Sequence, residues 1–218
     1  MNVTSMQNRE YLYWGMMKEG SITNKFLRVL MDKFIGKDEF TQRDISFKIV
    51  PKFNAVVRTD DMVLKQRVIK AMMGMDDVDE VAILCEQAHK NQVKLVSEIM
   101  DEVKDDVDTE SSVIVYQSEL IPRSYSGLVA GKFLNAFGGK PSIVGTNYDG
   151  YMIGSLRSPI PLKDILNKCE YVDFASGHDE SCGVGLRAEN IDKLKEYLDN
   201  LNLSYSTDTE VLLSSTVK

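Results

Sequence analysis

The chain has 218 residues, a formal net charge of −7 and two histidines. With 43% hydrophobic and 27% charged residues it is composed like a soluble globular protein, which excludes dominant disorder. His89 and His178 stand far apart, which excludes a multi-histidine metal site, and the acidity argues against unselective nucleic-acid binding while leaving room for a local basic patch.

From the N-terminus, Tyr11, Leu12, Trp14 and Met16 form an apolar helical stretch ended by Gly20. Ser21 reads as the N-cap of a second helix, with Ile22, Phe26, Val29, Leu30 and Phe34 at helical spacing and Gly36 at its end. Thr41-Gln42-Arg43-Asp44 opens a third, short helix through Ile45, Phe47 and Ile49, which Pro51 is expected to limit. Over residues 41–58 the bases Arg43, Lys48, Lys52 and Arg58 face one acid, Asp44, a positive island in an acidic chain. A further helix is expected from Asp60 to Met73.

The longest element is expected from Asp76 to Asp105. Val78, Val81, Cys85, Ala88, Gln92, Val96, Ile99 and Val103 recur there at intervals of three, four and seven. Residues 59–110 hold 14 acids against 6 bases, so this helix carries a solvated acidic face over its apolar stripe. Its length suits a helix bridging two lobes, and a coiled-coil dimer is the alternative.

After Asp108 the pattern changes. Strands are expected over 113–116, 142–145, 151–157, 171–174, 184–186 and 209–214, and helices over 126–137, 161–169 and 189–201. The fold class is therefore an α/β C-terminal lobe, residues 107–218, preceded by an all-helical segment, 1–75, and a long connecting helix, 76–106. Cys85, Cys169 and Cys182 form no Cys-x-x-Cys pair and read as reduced, buried thiols of a cytoplasmic protein. No run of 18 apolar residues predicts a membrane span, and the first residues do not form a secretory signal.

Three segments draw attention. Gly154-Ser155-Leu156-Arg157-Ser158 joins a glycine that lets a backbone come close, two hydroxyl donors and a planar arginine fork, a set able to grip phosphate or simply a surface arginine at a strand end. Residues 176–185 frame His178 with glycines beside Asp179 and Glu180. They read as a phosphate loop lacking the Gly-Lys-Ser/Thr ending, as a metal site short of ligands, or as a tight turn with a structural histidine. Residues 51–58, Pro51 to Arg58, lie in the positive island.

In this order the segments resemble the RecJ-type single-strand exonucleases of the DHH phosphoesterase superfamily. Asp44-Ile45-Ser46-Phe47, Pro51, Asn54-Ala55 and Arg58 are similar to that family's Asp-Ile-Gly-Phe, Pro, Asn-Ala and Arg. The long acidic helix is similar to the family's inter-lobe helix. Gly127-Leu128-Val129-Ala130-Gly131-Lys132, Lys140-Pro141-Ser142-Ile143-Val144, Gly154 to Ser158, and Gly177-His178 with Gly183 resemble the DHH-associated domain, the nucleic-acid-gripping lobe. The likeness covers nearly the whole chain. It departs at four places. No Asp-His-His occurs, Ser5 stands in the register of a metal-binding aspartate, Ile121-Pro122-Arg123-Ser124 replaces His-Pro-Gly, and Ser176-Gly177 replaces a glycine pair.

The resemblance implies the C-terminal half of such an enzyme, as a fragment, a split-gene product or a free-standing module. It implies no catalytic residue and no metal cage in this chain, with manganese or magnesium serving the complete enzyme. By the same resemblance Ser155, Arg157 and Ser158 hold backbone phosphate, Gly177 and His178 meet phosphate or a terminal nucleotide, and Asn54 and Arg58 face an inter-lobe cleft. The implied partners are single-stranded nucleic acid and a separate DHH catalytic lobe. Two rival readings are a protein-interaction module, docking through an exposed apolar surface of residues 11–34, and a relative of the oligonucleotide or cyclic-dinucleotide phosphodiesterases.

Overall fold

The computed structural model describes residues 22–36, 40–201 and 203, so the expected helix before Gly20, the Ser21 cap and the strand at 209–214 lie outside the described residues. The chain divides into two compact units, with the division between Lys94 and Leu95.

Four helix starts of the first unit carry a side-chain cap. Asn24 caps α1 (Lys25–Phe34), accepting from the Leu27 amide at 3.1 Å, in the place the sequence suggested for Ser21. Thr41 and Asp44 form a reciprocal capping box at α2 (Gln42–Asp44). Asp61 caps α4 (Met62–Met72), and Asp77 accepts from the amides of Asp79 and Glu80 at the start of α5 (Val78–Val103).

Pro51 does not end the third helix. The chain passes from α2 through a π turn (Ile45–Ile49) straight into α3 (Val50–Arg58), with Pro51 in the first turn of α3. The Val50 amide reaches back to the Ile45 carbonyl, a widened turn that absorbs the donor proline lacks.

Phe26 and Leu30 of α1 are fully buried with Ile49, Val56, Val68, Val81 and Cys85. The apolar side of α1 is therefore core, which corrects the expectation of an exposed docking surface over its described part. Phe53 meets Phe26 edge-to-face at 6.0 Å. Lys52 is buried beside the Phe34 ring and pairs with Glu86 at 2.8 Å. Burial alone would push the Glu86 carboxyl up, but the hydrogen bond and charge of Lys52 outweigh it and hold the group below its ordinary value. Arg67 forks onto both Asp76 and Glu80, tying α4 to the approach and first turn of α5. Burial pushes the Cys85 thiol up to about 11, an inert structural cysteine.

The second unit is a five-stranded sheet with helices on both faces. Its strands are β1 (Ile114–Gln117), β2 (Ser142–Tyr148), β3 (Tyr151–Arg157), β4 (Phe174–His178) and β5 (Ser181–Arg187), in the order β1-β2-β3-β5-β4. β1 and β2 are parallel, joined through α6 (Ser126–Ala136), and every other pair is antiparallel. Met152, Leu156, Val184 and Leu186 turn to one face and pack with Leu162 and Leu166 beside α7 (Lys163–Lys168) and with Leu194 and Leu198 of α8 (Ile191–Asn200). Ile114 and Val144 turn to the other and pack with Val129, Ala130 and Phe133 of α6 and with Ile99 and Val103 of α5. No helix among the described residues is long and apolar enough to cross a membrane.

Candidate nucleic-acid interface

Strand alternation decides which side chains share a surface. On β3, Met152 and Leu156 point into the core, so Tyr151, Ile153, Ser155 and Arg157 point to the α6 side. On β5, Cys182, Val184 and Leu186 are core, which puts Ser181, Gly183, Gly185 and Arg187 on the α6 side. On β4, Ala175 is core, and Phe174, Ser176 and His178 face the other way. The register aligns Ser155, Gly183 and Ser176 as one rung across three strands, and His178 with Ser181 as the next rung toward the hairpin turn.

Phe174, Ser176 and His178 are exposed, so this side is open at β4, and Ser176, Ser181 and Gly183 are its small residues. None of its strand positions is an aspartate or glutamate, in a chain of net charge −7.

Arg157 stands at the end of β3 and its guanidinium lies against the first turn of α6. A Cβ built on Gly127 would sit 2.6 Å from its Nη2 and 3.4 Å from Ser155 Oγ, so the missing side chain of Gly127 makes room for the fork. Nη1 donates to the Leu156 carbonyl at 2.7 Å. Ser155 Oγ lies 2.9 Å from Ser126 Oγ, which also donates to the Arg123 carbonyl. Ser126 is buried and braces the half-buried Ser155.

Residues 176–185 are not a loop. They form a hairpin, β4 and β5, around the two-residue turn Asp179-Glu180. The turn is pinned from outside. The Leu162 and Lys163 amides donate to the Asp179 carbonyl, the Ser158 amide to Glu180, and Lys163 Nζ meets Asp179 Oδ1 at 2.6 Å and the Gly177 carbonyl at 3.4 Å. The Asp179 hydrogen bond raises the Lys163 pKa above its ordinary value. Gly177 has φ +139°, and a Cβ there would come within 2.9 Å of the Cys182 Cα, so the backbone requires glycine. His178 is thereby held exposed at the hairpin tip.

Ser155, Arg157, Gly177 and His178 are thus brought to one end of one sheet. Ser158 is different: it is buried, and its hydroxyl donates to the Ile160 carbonyl and accepts from the Ile160 amide. That hydroxyl closes the turn after β3. Gly154 also differs from its sequence reading. Paired with Gly145 of β2, it lets two strand backbones approach and offers no room for a ligand. Asn54 is exposed and Arg58 half-buried on α3 of the first unit. Ser126, Gly127 and Lys163, which support the site, were missed as site residues. The serine-glycine pair opening a helix was the one visible signal.

Among the described residues no group of three or more His, Cys, Asp or Glu stands together to hold a metal ion. These residues do not fit a two-metal cage. Burial pushes the Cys182 thiol up against the opposing charges of Lys163 and Arg157, so it offers no nucleophile.

No protein-family model and no curated protein sequence matches the chain. Among solved structures, RecJ from Thermus thermophilus in complex with Mg2+ matches with a TM-score of 0.68 and 21% identity, over 89% of this chain and 31% of that one. The same protein in complex with Mn2+ gives 0.68 and 21%, over 89% and 29%. An exonuclease RecJ bound to manganese gives 0.65 and 18%, over 92% and 51%. The helical segment and mixed α/β sheet therefore have the fold of part of RecJ, and the chain spans between 29% and 51% of the length of those proteins.

Proposed function

We propose that this chain is the nucleic-acid-binding part of a RecJ-like single-stranded-DNA exonuclease, positioning the strand for phosphodiester cleavage by a DHH lobe that carries the manganese or magnesium. The observation that supports it most is the open, carboxylate-free sheet face with Arg157 seated at its end between Gly127 and Ser155. Its guanidinium fork suits two phosphate oxygens, and the Ser155 hydroxyl, whose proton is given to Ser126 in the unliganded chain, adds a short donor by turning that proton to phosphate. His178, fixed at the hairpin tip, meets the neighbouring phosphate or the terminal nucleotide. Asn54 and Arg58 are proposed separately, as strand contacts within the first unit. Ser158 holds the turn and touches no phosphate.

The test is fluorescence anisotropy with a labelled single strand over a range of salt. Binding that weakens steadily with salt is expected, because phosphate contacts release counterions. No binding even at low salt rejects the reading.

Exposed apolar side chains favour a second reading, docking to a separate catalytic lobe. Val50 and Val57, 41% and 70% exposed, share one face of α3, and Met62, Ile69 and Met73 share one face at α4. Co-purification with a DHH-lobe protein supports this reading, and a monomer that retains none counts against it.

A further inference from the structure

The same sheet face carries a second feature, two rungs along from Arg157. Phe174 of β4 lies across β5: a Cβ built on Gly185 would come within 2.1 Å of its Cε1 and 2.8 Å of its Cδ1. The ring rests on bare backbone, and Phe174 remains 43% exposed. Register places it in the rung Ile153–Gly185–Phe174, next to the rung Ser155–Gly183–Ser176. The following rung pairs Tyr151 with Arg187, the tyrosine 40% exposed and the guanidinium 5.9 Å from its ring centroid. Rungs on one face are about 6.6 Å apart, two residues of a strand.

Turning an aromatic ring outward gives up the apolar burial it would otherwise contribute. Here the ring is set against a glycine, on a face with arginine at both ends and no carboxylate at its strand positions. A ligand that combines flat π-faces with a negative backbone complements both properties, and single-stranded nucleic acid is that ligand.

We infer that Phe174, seated on Gly185, is a stacking site for a base of the strand whose phosphate Arg157 holds, with Tyr151 and Arg187 receiving the next base. This rests on the proposed phosphate grip. The strand then runs parallel to β3 along the open face. Stacking alone reads no sequence, because every base has a π-face.

Two labelled probes of equal length test this by anisotropy, an oligothymidylate and an abasic phosphodiester strand. The wild-type chain should bind the oligothymidylate more tightly. Phe174→Leu, which keeps an apolar cover over Gly185, should weaken oligothymidylate binding about tenfold and leave the abasic affinity and the salt slope unchanged. Phe174→Tyr should retain binding. No loss in Phe174→Leu, or equal loss on both probes, overturns the stacking site and leaves the phosphate grip standing. Failure of the wild type to bind either probe overturns the grip, and the stacking site with it.

Discussion

Replacing Arg157 with alanine should weaken single-strand binding about 10- to 100-fold at low salt, the scale of a charge-assisted hydrogen-bonding group lost from a phosphate. The same change should flatten the salt dependence by about 0.7 in the log–log slope, the share of one phosphate contact on a single strand. The two readouts separate a phosphate ligand from a structural arginine, because a folding defect lowers active protein without changing the slope. Arg157→Lys should retain the slope and recover only part of the affinity, since lysine keeps the charge and loses the planar fork. Gly127→Ala should act in the same direction more weakly. Its Cβ would meet the end of a flexible side chain at 2.6 Å, and the guanidinium can swing aside.

Gly154→Ala should be the most damaging small substitution in the second unit. A Cβ there would lie 2.3 Å from the Val144 carbonyl oxygen and 2.7 Å from the Gly145 Cα. Both obstacles are backbone of the paired strand, so β2 and β3 must separate. The cost expected is ~3 kcal/mol, the upper range of overpacking, or a fall in Tm on the order of 10 °C for a unit of this size. Thermal unfolding followed by circular dichroism checks it. Gly183→Ala is the control, on the neighbouring strand and the opposite face. Its Cβ would meet nothing closer than 3.7 Å, and the Tm should change little.

The helices and the two central strands were legible because their signals are local. Tyr151 to Arg157 reads as a strand, and its bounds match. The helix expected from Asp60 to Met73 is Met62–Met72, with Asp61 as its cap rather than its second residue. Pro51 misled because its usual effect on a helix assumes regular α geometry, and the π turn before it removes the conflict. The β4–β5 hairpin was hidden by its glycines. Gly177 and Gly183 lie outside the expected strands and Gly185 inside one, and each meets a demand of the sheet or its open side: a strained φ at Gly177, an unobstructed floor at Gly183 and a seat for Phe174 at Gly185. For the same reason the site was half visible. Arg157 and His178 stood out as chemistry, whereas Lys163, Ser126 and Gly127 act through contacts between residues distant in sequence.

A net charge of −7 does not oppose the proposed binding of a polyanion at the open face. The chain's acids are concentrated elsewhere, with 14 of the 33 in residues 59–110. The strand positions of this face carry Arg157 and Arg187 and no carboxylate, and phosphate responds to the local field more than to the total.

Hydrogen–deuterium exchange of the chain with and without an unlabelled single strand tests most directly whether this face is the binding surface. Protection is predicted at the hairpin of β4 and β5 and at the first turn of α6. Unchanged exchange there, with protection appearing only in other segments, would contradict the account.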